Sequence, residues 1–174
     1  MGLFSLFRSK DPAKVARELV EAATRLEVDP EAVHWCRRLG VETHRYIAER
    51  NALQVGMTQG GVALSLRNNR SLNVHKLYQA LDEQLKDYFA GMPNVHPEQG
   101  LAFYRCITSR YIVRDPVEMA GIFHYYLLNP GAWGDREPES TPSQDLPDGF
   151  QTFVHVQMRE PLQRSLDRAN ELAN

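Results

Sequence analysis

Apolar residues recur at helical spacing along most of this chain. Val15, Leu19, Ala22, Ala23 and Leu26 form one stripe, with Lys14, Arg17, Glu18, Glu21 and Arg25 opposite, which predicts a helix over 12–27. Asp11 offers a capping carboxylate, and Pro12 suits the first helical position because its missing N–H has no role there. The same pair returns at Asp29-Pro30. Val33, Cys36, Leu39, Thr43, Tyr46 and Ile47 then predict a second helix reaching about residue 49, in which Gly40 marks a close contact or a kink. Leu72, Leu77, Leu81, Leu85 and Phe89 predict a helix over 72–89, closed by Gly91 and Pro93. Leu101, Tyr104, Ile107, Thr108 and Tyr111 predict another over 97–113. A third Asp-Pro, Asp115-Pro116, opens a helix to residue 128 that is apolar on nearly every side, the pattern of a central helix. Leu162, Leu166, Ala169 and Leu172 predict a last helix over 162–173.

Two stretches break this rhythm. Leu53, Val55 and Met57 alternate with Gln54, Gly56 and Thr58, and Val62, Leu64 and Leu66 alternate beyond Gly60-Gly61. With the two glycines as a turn, Met57 pairs with Leu64 and Val55 with Leu66, so all the apolar side chains share one face. The preferred reading is a β-hairpin over 53–67; a glycine-weakened helix is the rival. Phe150, Thr152, Val154, Val156 and Met158 also alternate, and Pro161 biases its predecessor toward an extended shape. That favours a strand over 150–158, although Phe150, Phe153, Val154 and Met158 equally fit a helix. The expected fold is therefore mainly α with a minor β element (α+β). About six helices form a bundle around the apolar helix near 116–128, and the hairpin is joined by the strand.

Composition adds organisation. With 43% hydrophobic and 24% charged residues, the balance is that of a globular chain, expected as a single domain over 11–174. Residues 1–10 read as a flexible apolar leader whose Leu3, Phe4, Leu6 and Phe7 are candidates for contact with a partner or a membrane surface. They do not form a signal peptide, and no stretch has the length of a membrane span. Residues 130–147 turn to Gly, Pro, Ser, Thr and acid, a long acidic loop. Cys36 and Cys106 make no disulfide framework and suit a reducing cytoplasm.

Charge is distributed unevenly around a net of −2. From Val33 to Ala80, seven basic residues stand against Glu42 and Glu49; from Asp115 to Asp148, seven acids stand against Arg136. Arg37, Arg38, Arg45, Arg105, Arg110 and Arg114 are thus candidates for a face that binds an acidic partner or a phosphate-bearing ligand, with the acidic loop as internal competitor. Asp82-Glu83 reads as solvated charge. His124, with Tyr125 and Tyr126, lies in the most apolar segment and is the one candidate for a catalytic pocket, although a buried structural histidine is the plainer interpretation. No H-E-x-x-H, phosphate loop or nucleophile elbow occurs, so no metal or cofactor is expected. The function expected is a non-enzymatic protein-interaction or accessory module, adaptor-like or chaperone-like, with homo-oligomerisation open. A nucleic-acid or phosphate binder and an enzyme centred on His124 are the alternatives.

Overall fold

A computed structural model describes residues 10–111, 116–129 and 146–173. These residues form seven helices and no strand: α1 (Pro12–Ala23), α2 (Pro30–Leu39), α3 (Thr43–Asn68), α4 (Leu72–Ala90), α5 (Pro97–Arg110), α6 (Pro116–Leu128) and α7 (Phe150–Ala173). Two of the Asp-Pro starts act as read: Asp11 accepts from the Ala13 amide at 3.1 Å and Asp29 from the Ala32 amide at 2.7 Å. The third aspartate, Asp115, lies outside the described residues. So do the leader positions Leu3, Phe4, Leu6 and Phe7, together with Arg114 and 130–145 of the acidic loop.

Both β predictions are overturned. The expected hairpin over 53–67 is the middle of α3, a single helix of 26 residues. Leu53, Val55, Met57 and Val62 are each fully buried, which no single helical face achieves. A helix surrounded by neighbours buries every side, and its apolar residues then need no 3.6-residue period. The strand expected over 150–158 is the first part of α7, which continues through Pro161 to Ala173. Proline inside a helix removes one backbone donor and crowds the preceding turn. Here Pro161 is buried in the interface with α3, where packing outweighs that cost.

The centre also moves. α3, rather than the helix at 116–128, touches every other helix, most extensively α7. Small residues permit this. A Cβ on Gly61 would stand 2.8 Å from the Leu162 carbonyl oxygen of α7 and would overlap the Ser165 hydroxyl. A Cβ on Gly56 would stand 2.6 Å from the Tyr111 carbonyl oxygen at the end of α5. Of the two glycines that suggested a turn, Gly61 is instead a point of close helix approach and Gly60 lines a groove. Gly40 does not kink a continuous helix but ends α2: it is left-handed (φ +65°), and the Val41 amide donates to the Cys36 carbonyl at 2.9 Å.

Candidate functional site

α3 presents Gly56, Gln59, Gly60, Ala63, Leu64 and Arg67 along one face, at spacings of three and four residues. α4 runs back beside it and contributes Tyr78, Asp82 and Lys86, one position beyond its core stripe of Leu77, Leu81 and Leu85. α5 adds Leu101, Tyr104, Arg105 and Thr108, and Tyr111 closes the end. Together they enclose an open groove of about 560 Å³, within the range of ligand-binding sites. The groove lies where α3 has little side chain: Gly60 and Ala63 line it, while Gly56 packs directly against Tyr111 at its end.

One connected set of polar groups crosses this apolar surface. Gln59 Nε2 donates to the Tyr104 hydroxyl, which donates in turn to Asp82 Oδ1 at 2.7 Å. Lys86 Nζ donates to Asp82 Oδ2 at 2.6 Å. Burial, reinforced by the hydrogen bond to Asp82, pushes the Tyr104 hydroxyl well above the ordinary tyrosine range. Tyr104 therefore stays protonated at neutral pH, and its proton is committed to Asp82. The set orients the groove and offers no free nucleophile or base.

Behind Tyr111 lies a second, buried cluster. The Tyr111 hydroxyl donates to Glu49 Oε1, and Arg110 Nη1 lies 3.9 Å from the same oxygen. The Arg110 guanidinium rests over the Tyr126 ring, 3.2 Å from its centroid, and Arg45 donates to the Tyr126 carbonyl at 3.1 Å. Glu49 is 1% exposed, and burial pushes its carboxyl up to about 7 against the opposing pull of Tyr111, Arg110 and Arg45. Among the described residues its Oε2 has no hydrogen-bond partner.

The structure thus brings Arg45, Arg110 and Tyr126 together from the sequence-derived candidates and separates the others. Arg105 stands exposed on the groove rim. Arg37 and Arg38 are exposed on α2, where Arg38 covers Trp35 at 5.0 Å and donates to the Asp148 carbonyl at 3.2 Å. His124 is half-buried edge-on to Phe150, ring centroids 5.3 Å apart, and burial lowers its pKa. It does not line the groove. Tyr125 meets Tyr126 edge to face at 5.2 Å.

Sequence reasoning missed Glu49, Gln59 and Asp82. Glu49 was legible in principle: it shares a stripe with Tyr46, Leu53 and Met57 once 43–68 is read as one helix. Asp82 carried a weaker signal, since Tyr78, Asp82 and Lys86 repeat every four residues beside the α4 core stripe.

Among the described residues no group of three or more His, Cys, Asp or Glu is placed to hold a metal ion, and no helix is long and apolar enough to cross a membrane. Comparison with protein-family models, with curated proteins and with solved structures finds no match.

Proposed function

We propose that this chain is a non-enzymatic interaction module of the cytoplasm and that the α3–α4–α5 groove is its working surface, accepting an apolar segment of a partner protein. The observation that carries this reading is the character of the groove. Ala63, Leu64 and Leu101 provide apolar wall, while Gln59, Tyr104, Asp82 and Lys86 beside them are satisfied by one another. A surface of that kind gains free energy by losing water from its apolar part and has no reactive group left over. Both cysteines are free thiols, which suits a reducing compartment. The arginine-rich alternative draws less support, because Arg45 and Arg110 are engaged with Tyr126 inside the fold.

The test is photo-crosslinking in the cell that makes the protein, with a benzophenone amino acid at Thr108 in the groove or at Val156, which is exposed on α7. The expected result is a protein adduct of defined mass from position 108, absent from position 156 and lost when Ala63→Trp fills the groove. Identical adducts from both positions, or adducts indifferent to Ala63→Trp, refute the assignment.

A further inference from the structure

The chemistry of the occupant is written on the groove rim. Lys86 is neutralised by Asp82, to which it is bonded directly. Arg67 and Arg105 are different: both are exposed, both line the groove, and among the described residues neither pairs with a carboxylate. The rim therefore carries two uncompensated positive charges flanking an apolar wall.

Their separation follows from the helices. Tyr104 is bonded to Gln59, so Arg105, its neighbour on α5, stands near the level of Gln59 on α3. Arg67 lies eight residues further along α3, about 12 Å at 1.5 Å per residue. That is a little over two turns of a helix.

The walls also limit the backbone form of a visitor. All three are helices, whose mid-helix amides and carbonyls are already bonded to one another. An extended peptide would bury its own amides and carbonyls against surfaces that offer no partners. A helix arrives with those groups satisfied and needs to present only side chains. Full-length groove contact along α3, from Gly56 to Arg67, spans about 16 Å, or three turns.

We infer that the groove receives an acidic amphipathic helix of a partner protein. Its apolar residues seat on Ala63, Leu64 and Leu101, and two carboxylates about two turns apart meet Arg67 and Arg105. This rests on the proposal above that the groove binds a protein segment, and it adds sign, spacing and backbone form. Arginine pairs bidentately with carboxylates, so the two contacts set orientation as well as attraction.

The test is selection of a random sixteen-residue peptide display library on the full chain, run in parallel on wild type, Arg67→Glu/Arg105→Glu and Ala63→Trp. Each protein is first shown to melt cooperatively by circular dichroism. Wild type is expected to enrich sequences with Asp or Glu seven or eight positions apart around Leu, Ile, Phe or Met. The double glutamate variant should enrich Lys or Arg at the same spacing. A selected acidic peptide should bind wild type about 3–10-fold tighter than its Gln counterpart, and the difference should vanish in Arg67→Gln/Arg105→Gln. Enriched peptides without acidic bias, or the same peptides from wild type and the charge-reversed variant, overturn the inference and leave the groove as a binding site. Loss of all enrichment, or equal enrichment on Ala63→Trp, overturns the underlying reading too. Stoichiometric binding of dodecanoate in the groove with no peptide enriched assigns the site to a small amphiphile and overturns the protein partner.

Discussion

Gly60 and Gly61 are adjacent, yet alanine at the two positions should act in opposite directions. Both lie mid-helix in α3, where neither has the positive φ of a turn residue. Alanine in place of a mid-helix glycine gains about 1 kcal/mol by restricting the unfolded chain. Gly60 lines the groove, so its new methyl group is expected to stand on the groove side and keep that gain. Gly61 faces α7. Its new Cβ would sit 2.8 Å from the Leu162 carbonyl oxygen and inside the Ser165 hydroxyl. The hydroxyl can rotate away, losing its 2.9 Å bond to the Leu162 carbonyl, but the carbonyl can retreat only if α7 moves. Overpacking of this kind costs about 1–3 kcal/mol, and the crossing belongs to the most extensive interface in the fold, so the upper end applies. Subtracting the propensity gain leaves Gly61→Ala about 2 kcal/mol less stable than wild type, and Gly60→Ala about 1 kcal/mol more stable. Urea unfolding followed at 222 nm measures both, with unchanged m-values confirming that the same transition is compared. Similar destabilisation of both variants would mean that the glycines occupy a turn. Stabilisation of both would mean that the α3–α7 crossing is not close.

Burial of Glu49 predicts a pH dependence. Its folded pKa of about 7 lies above the unfolded value of 4.5, so the stability it contributes is complete below 4.5 and is lost as pH rises through 7. Glu49→Gln should remove that slope and make the protein more stable than wild type at pH 8, by up to roughly 3 kcal/mol. The opposite slope from His124, whose pKa burial lowers, is common to both proteins and cancels in the difference. Parallel stability–pH curves for the two proteins would contradict the assignment. Asp29→Ala removes the cap of α2 and should cost about 1 kcal/mol by urea unfolding, with Asp29→Asn recovering most of it. Arg50 donates to the carbonyls of Arg25 and Glu27 beyond α1, and Arg50→Met should cost about 2 kcal/mol and raise amide exchange over 24–29; unchanged exchange there would refute the clamp.

The outer helices were legible because each has a wet side. α1 and α4 meet solvent along one flank, so their polar residues fall into register and the helical period shows, as Val15 and Leu19 or Leu77, Leu81 and Leu85 make plain. α3 has no such flank over 52–58, and the alternation of Leu53, Val55 and Met57 carried no information about direction. Phe150 to Met158 failed for another reason: Phe150, Phe153, Val154 and Met158 form one buried helical face, with Phe150 against Trp35 and Phe123, while the β-branched Thr152 and Val156 are exposed, so packing outweighs propensity. The candidate site was legible only in fragments. Arg105 was found by charge, whereas Gln59, Asp82 and Glu49 acquire meaning from residues distant in sequence. Tyr104 and Asp82 are 22 positions apart, and Tyr111 and Glu49 are 62.

The α3–α7 crossing has a consequence in time as well as in space. Ser65 of α3 donates to the Asn170 side chain at 2.9 Å, across 105 positions of sequence. A ribosome adding about 5–20 residues per second leaves roughly 5–20 seconds between making one partner and the other. Throughout that interval α3, the least polar-faced of the long helices and one thinned by glycine at 56, 60 and 61, has no α7 to cover it. The nascent chain must therefore shelter its future centre among α1, α2, α4, α5 and α6 without its largest partner, or leave it to whatever holds unfinished chains at the ribosome. The groove that α3 shares with α4 and α5 is then among the first surfaces the protein forms, before the fold around it is complete.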